Sequence, residues 1–126
     1  MKKLHLIRHA KSAWEDTSLT DIERPINSQG IASCHTIASH IHQAGCNFSH
    51  VFCSAAIRAQ QTITELAKNL PELSITWEVD PRLYSFDHEQ LIEWLQEQDP
   101  SIDEIVIVGH NPAITNSANI LGDRPI

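Results

Sequence analysis

The chain has no long apolar run, only four glycines and six prolines, one methionine and an odd number of cysteines. Each shortage excludes something. No stretch approaches the ~20 apolar residues that a membrane-spanning helix needs, so no membrane partner is expected. Lys2 and Lys3 are followed by a short strand-like run rather than the apolar core of a signal peptide, which makes the cytoplasm the expected location. With 41% hydrophobic and 20% charged residues, the chain is neither fibrous nor disordered. Cys34, Cys46 and Cys53 lack Cys-x-x-Cys spacing, so neither a disulfide framework nor a zinc cage is expected of them. Basic residues are scarce too: nine Lys and Arg against sixteen Asp and Glu give a formal charge of −7. Binding to a phosphate backbone needs clustered Lys and Arg, so no nucleic-acid partner is expected.

What is present fits one domain, residues 1–126, large enough to bury a core. Residues 4–7 form a short apolar run that predicts a buried strand, with Arg8-His9 at its end. Residues 10–26 are polar, contain Pro25 and predict a loop. Asn27 or Ser28 then caps a helix whose apolar positions Ile31, Cys34, Ile37, Ala38 and Ile41 recur at helical spacing up to Gly45. Residues 49–53 predict a second strand, Ser54 a cap, and residues 56–70 a helix with Arg58 in its first turn. Residues 74–79 predict a third strand. Asp87 with Gln90 three positions on predicts a capping box opening a third helix. Residues 104–108 give the clearest strand, ended by Gly109-His110-Asn111-Pro112, in which Asn111 can cap and Pro112 take the first helical position.

Strands alternating with helices predict an α/β fold whose mostly parallel sheet is covered on both faces. Such sheets carry their sites beyond the carboxyl ends of the strands. His9, Arg58 and His110 all fall there, some fifty residues apart, and so can converge in one crevice. The chain stops soon after its last helix without another strand, so a short sheet with an open edge, favouring self-association, is expected.

A histidine nucleophile attacking phosphorus needs a neutral nitrogen and cations that hold the non-bridging oxygens, with no metal if those cations suffice. Guanidinium groups meet phosphate oxygens with two prongs, which makes Arg8, Arg24 and Arg58 candidate clamp residues. Arg58 gains from the free N–H groups at its helix start. Arg24 reads equally well as an ion-pair partner of Asp21, and Lys11 as either a pocket residue or an exposed loop lysine. Trp14, Trp77 and Trp94 read as packing residues. The eight histidines invite a metal, but His35, His40 and His42 do not share the i, i+4 line of a zinc helix, so no metal or other cofactor is expected.

Four motifs sharpen the reading. Leu6-Ile7-Arg8-His9-Ala10-Lys11-Ser12-Ala13-Trp14, Asp21-Ile22-Glu23-Arg24-Pro25-Ile26, Ser54-Ala55-Ala56-Ile57-Arg58-Ala59-Gln60-Gln61-Thr62 and Val108-Gly109-His110-Asn111-Pro112 occur in that order. Together the chain resembles the SixA-type branch of the histidine phosphatase superfamily. The resemblance implies a three-layer α/β/α, phosphoglycerate mutase-like fold. It also implies transient phosphorylation of His9, binding of phosphoryl oxygens by Arg8, Arg24 and Arg58, and a stabilising role for His110. Ala10 stands where many superfamily members have Gly, and Ala55 where Pro is usual before the second helix.

One departure bears on substrate. Mutases and phosphomonoesterases of the superfamily carry a Glu in the segment that here reads Arg82-Leu83-Tyr84-Ser85, and Tyr84 fills its slot. An alkoxide leaves poorly unless protonated, whereas an imidazole leaves readily once solvent has protonated it. The expected substrate is therefore protein phosphohistidine, on a phosphotransfer domain or a phosphocarrier, with inorganic phosphate as product. A loop carboxyl such as Asp87, Glu15 or Asp16 could still supply a proton. The alternatives are a small-molecule phosphomonoesterase or mutase and a feebly catalytic phosphohistidine-binding module.

Overall fold

In a computed structural model of the chain, residues 3–13 and 18–122 are described. β1 (Lys3–Arg8), α1 (Ser28–Gln43), β2 (Val51–Cys53), α2 (Ile57–Lys68), β3 (Glu78–Val79), α3 (His88–Gln96), β4 (Glu104–Gly109) and α4 (Ala113–Gly122) follow one another, with single 3-10 turns at Asp21–Glu23, Pro71–Leu73 and Pro81–Leu83. The strands form one parallel sheet in the order β1-β4-β2-β3.

Side-chain alternation along the strands divides the core in two. Val106 and Val108 of β4, with Val51 and Cys53 of β2, face α1 and α2 through Cys34, Ala38, Ala59, Ile63 and Leu66. Ile105 and Ile107, with Leu4, Leu6 and Phe52, face α3 and α4 through Leu91, Trp94, Ala113 and Ile114. The result is the three-layer α/β/α arrangement, with β4 buried along its whole length. Trp94, 2% exposed, meets Phe52 edge-on and donates its indole N–H to Asp80.

Several local expectations need correction. The third strand is only Glu78–Val79: Ser74, after the 3-10 turn at Pro71–Leu73, is left-handed, and only Glu78 and Val79 pair with β2. Ile31 and Ile37 are largely exposed. On a helical wheel they lie to either side of the Cys34–Ala38 line, Ile31 by about 40° and Ile37 by about 80°. Asp87 caps α3 through Glu89 N–H, but Gln90 turns away to accept from Ser85, so no reciprocal box forms. Ser54 does not cap α2, whose N-cap is Ala56. Asn111 does cap α4, accepting from Thr115, but the helix begins at Ala113, after a cis Asn111-Pro112 bond. No helix among the described residues is long and apolar enough to cross a membrane.

Candidate active site

The strand order fixes which chain ends meet. β4 lies between β1 and β2, so His110, just beyond the β4 tip, stands between His9 beyond β1 and Ser54 beyond β2. The ladder continues past the strands: His9 N–H donates to the Gly109 carbonyl at 3.0 Å and Ser54 N–H to the Val108 carbonyl at 3.0 Å. The His9 and His110 ring centroids are 5.2 Å apart. Arg58, in the first turn of α2, is 1% exposed and reaches both His9 and His110.

Hydrogen-bond roles fix both imidazoles. His9 Nδ1 lies 2.7 Å from the Ala10 carbonyl, which can only accept, and Nε2 lies 3.3 Å from Arg58 Nε–H, which can only donate. His9 is therefore the Nδ1–H tautomer, and its Nε2 lone pair accepts from Arg58. Burial lowers its pKa below the ordinary value; the Ala10 carbonyl opposes this, and the positive charges of Arg58, Arg8 and Arg24 reinforce it. Arg58 Nη2–H donates to His110 Nδ1 at 3.4 Å, so the Nε2–H of His110 donates to Ser54 Oγ at 2.7 Å. Burial, then Arg58 and His9, push the His110 pKa down to about 4. Both rings are neutral at pH 7.

Asp21 organises the cations. Its carboxylate accepts from Arg24 Nη2 at 2.9 Å, from Arg58 Nη2 at 2.9 Å and from the Tyr84 hydroxyl, while its carbonyl accepts from Arg58 Nη1. The Tyr84 hydrogen bond first, then those from Arg24 and Arg58, hold the carboxyl far below the usual carboxylate range. Burial and the neighbouring carboxylate raise the Tyr84 pKa, so its phenol stays protonated. Arg24 also donates to Ser12 Oγ at 2.9 Å.

These groups open onto a cavity of about 690 Å³ lined by Arg8, His9, Lys11, Ser12, Asp21, Arg24, Asn27, Arg58 and Phe86. Four cations and one carboxylate line it, in a chain whose formal charge is −7. The arrangement can hold a dianionic tetrahedral group in front of a neutral imidazole nitrogen. Residues 4–97 match the histidine phosphatase superfamily, branch 1. The chain belongs to the histidine phosphatase superfamily.

Solved structures of histidine phosphatases share the fold. A chain from Agrobacterium tumefaciens provisionally designated phosphohistidine phosphatase SixA superposes with a TM-score of 0.83 at 23% identity, over 95% of this chain and 76% of that one. The protein histidine phosphatase SixA complexed with tungstate gives 0.75 at 20% identity, over 91% and 73%. An uncharacterized chloroplastic protein of Arabidopsis thaliana is 28% identical over 133 residues, 99% of this chain, which spans 61% of that relative's length.

The structure brings together His9, Arg8, Arg24, Arg58, His110 and Lys11, the residues singled out in this histidine phosphatase sequence. Arg24 pairs with Asp21 and also lines the cavity. Tyr84 lies outside the cavity lining and reaches the site through Asp21 and an edge-on contact with the His110 ring. Asp87 caps α3 and does not line the cavity, while Trp14, Glu15 and Asp16 lie outside the described residues.

Several residues of the site were not anticipated as members of it, Ser12 and the helix cap Asn27 of the lining among them. Asp21 was visible only as a partner for Arg24, and Ser54 only as a cap. Thr62, one turn beyond Arg58, accepts from Ala10 N–H at 2.9 Å and donates to the Arg58 carbonyl at 2.7 Å, tying the His9 loop to α2. Phe86, 45% exposed, lies 5.1 Å from the His110 ring, and no sequence pattern marks it.

Proposed function

We propose that this chain is a metal-independent phosphatase that hydrolyses protein phosphohistidine through a phospho-His9 intermediate. The observation that carries the substrate is the state of Asp21. It is the only carboxylate among the described residues lining the cavity, and its partners Tyr84, Arg24 and Arg58 keep it ionised. An ionised carboxylate has no proton for an alkoxide, and the Tyr84 phenol, with its raised pKa, is a poor acid at neutral pH. A phosphoramidate needs no such group, because its leaving imidazole takes a proton from water near neutral pH.

The steps follow from the groups in place. Phosphoryl oxygens are held by Arg8, Arg24 and Arg58, whose charge replaces the Lewis acid that other phosphatases take from a metal. The His9 Nε2 lone pair, released by Arg58 as that guanidinium takes up the phosphoryl oxygens, attacks phosphorus, the bond from phosphorus to the substrate imidazole breaks, and that nitrogen is protonated by solvent. Water then attacks the phosphoryl group on His9, the new P–N bond breaks, and inorganic phosphate leaves. His110, with its Nδ1 accepting from Arg58 and its Nε2–H on Ser54, stabilises the transferring group by holding that guanidinium in place beside His9. The tungstate bound to the related SixA protein is a tetrahedral oxyanion of the kind such a cavity suits.

The test compares turnover of a phosphohistidine-bearing phosphotransfer domain with that of phosphoserine, an alkyl ester. The reading expects at least ~10²-fold higher kcat/KM on phosphohistidine, the factor a missing general acid is worth. Equal turnover of the two would overturn it.

A further inference from the structure

A second group of chemistry-bearing residues lies at the opposite end of the sheet. Strand alternation puts His5 on the same face as Ile7, and Glu104 on the same face as Val106 and Val108, the side covered by α1 and α2. Lys3 pairs with Glu104 and His5 with Val106, so His5 and Glu104 are diagonal neighbours at the start of β1 and β4. Cys46, just after the turn that ends α1, is buried against that face. His5 Nε2, Cys46 Sγ and a Glu104 oxygen all lie within 4.8 Å of one another.

We propose that His5, Cys46 and Glu104 form a binding site for a divalent transition metal of zinc-like preference, separate from the phosphate cavity. The donor set is one imidazole, one thiol and one carboxylate, the mixture that borderline-soft ions take. His5 Nε2 is buried and makes no hydrogen bond, although Glu104 Oε2 stands 3.4 Å away. Two ligands of a tetrahedral zinc ion, with bonds of about 2.0–2.2 Å, are separated by roughly 3.4 Å, so that edge is already formed. Glu104 is aimed by outer hydrogen bonds, its two oxygens accepting from Asn47 N–H at 3.1 Å and Ser49 N–H at 2.9 Å. Cys46 completes the set within 4.8 Å of both.

Charge balances as well. On binding, Cys46 gives its S–H proton to water, and a thiolate with a carboxylate neutralises a divalent ion. Burial keeps the free thiol protonated, with its pKa pushed up to about 11, so affinity falls steeply with acid. Lys3, whose ammonium acts on Cys46, is exposed and can carry its charge into solvent. A hollow of about 400 Å³ lined by Lys3, Asn47, Ser49, Asp103 and Glu104 opens beside the Glu104 carboxylate. The site does not rest on the phosphatase reading.

Cobalt(II) titration of the whole chain tests it. One equivalent should produce a near-ultraviolet thiolate-to-cobalt charge-transfer band and tetrahedral visible bands, and one equivalent of zinc should bleach them. The bands should vanish in Cys46→Ala and in His5→Gln and survive in Cys34→Ala, and zinc should raise the Tm of the unaltered chain. No thiolate band in the unaltered chain, or a band that persists in folded Cys46→Ala, overturns the proposal. The measurement on the unaltered chain stands even if a variant fails to fold.

Discussion

Arg58 is the residue on which the most depends, because a guanidinium 1% exposed must find acceptors or be expelled. It has four: His9 Nε2, His110 Nδ1, and the carbonyl and carboxylate of Asp21. Lysine offers a single point charge and cannot bridge them. Arg58→Lys should weaken binding of inorganic phosphate or orthovanadate at least tenfold, read by isothermal titration. Ser54→Ala removes the acceptor of the buried His110 Nε2–H. It should cost about 1–3 kcal/mol of stability, the penalty of a buried unsatisfied donor. Because Arg58 still donates to His110 Nδ1, the ring should remain the Nε2–H tautomer, and ring ¹⁵N shifts showing an Nδ1–H form in Ser54→Ala would contradict the assignment.

At the scale of the elements, the close approach of the 9–12 loop to α1 depends on Gly30. A Cβ there would stand 2.5 Å from the Lys11 carbonyl oxygen, in backbone that cannot swing aside. Gly30→Ala should therefore destabilise by about 1–3 kcal/mol despite the better helix former, and should lower activity by displacing the loop that carries His9. Urea denaturation beside a turnover assay separates the two effects. That contact was not legible in the sequence, because nothing in a helical period says which turn another backbone will touch. The strands and helices themselves largely were, since the apolar runs at 4–7, 49–53 and 104–108 and the 3.6 periods between them follow from local chemistry. So did the convergence of His9, Arg58 and His110, which requires only that parallel strands end on one side. What escaped was set by loops and by distant pairing: Asp21 between two arginines, Thr62 under Ala10, and Cys46 beside His5. None of these has a periodic signature.

For the whole molecule, a buried neutral histidine, His110, beside the half-buried His9 makes stability depend on pH. The His110 pKa is about 4 folded against an ordinary 6.5, so the unfolded chain takes up the proton first as pH falls. The contribution of His110 is complete above pH ~6.5, declines from there to about pH 4, and is level below that. A shift of that size corresponds to something on the order of 3 kcal/mol. The depressed Asp21 pKa adds a further loss, starting below its ordinary 3.8. Denaturation midpoints measured from pH 7 to pH 4 should fall, and His110→Gln should flatten the upper part of that decline.

All of these effects serve one claim, that the His9 Nε2 lone pair is the phosphoryl acceptor. Rapid acid-free quenching of a turnover reaction with a phosphohistidine-bearing protein, followed by peptide mass spectrometry, tests it most directly. The account predicts a single phosphoryl group on His9, labile to acid, which disappears as inorganic phosphate forms and is absent from His9→Ala, itself inactive. Full turnover by folded His9→Ala, or a phosphoryl group on another residue during turnover, would contradict it.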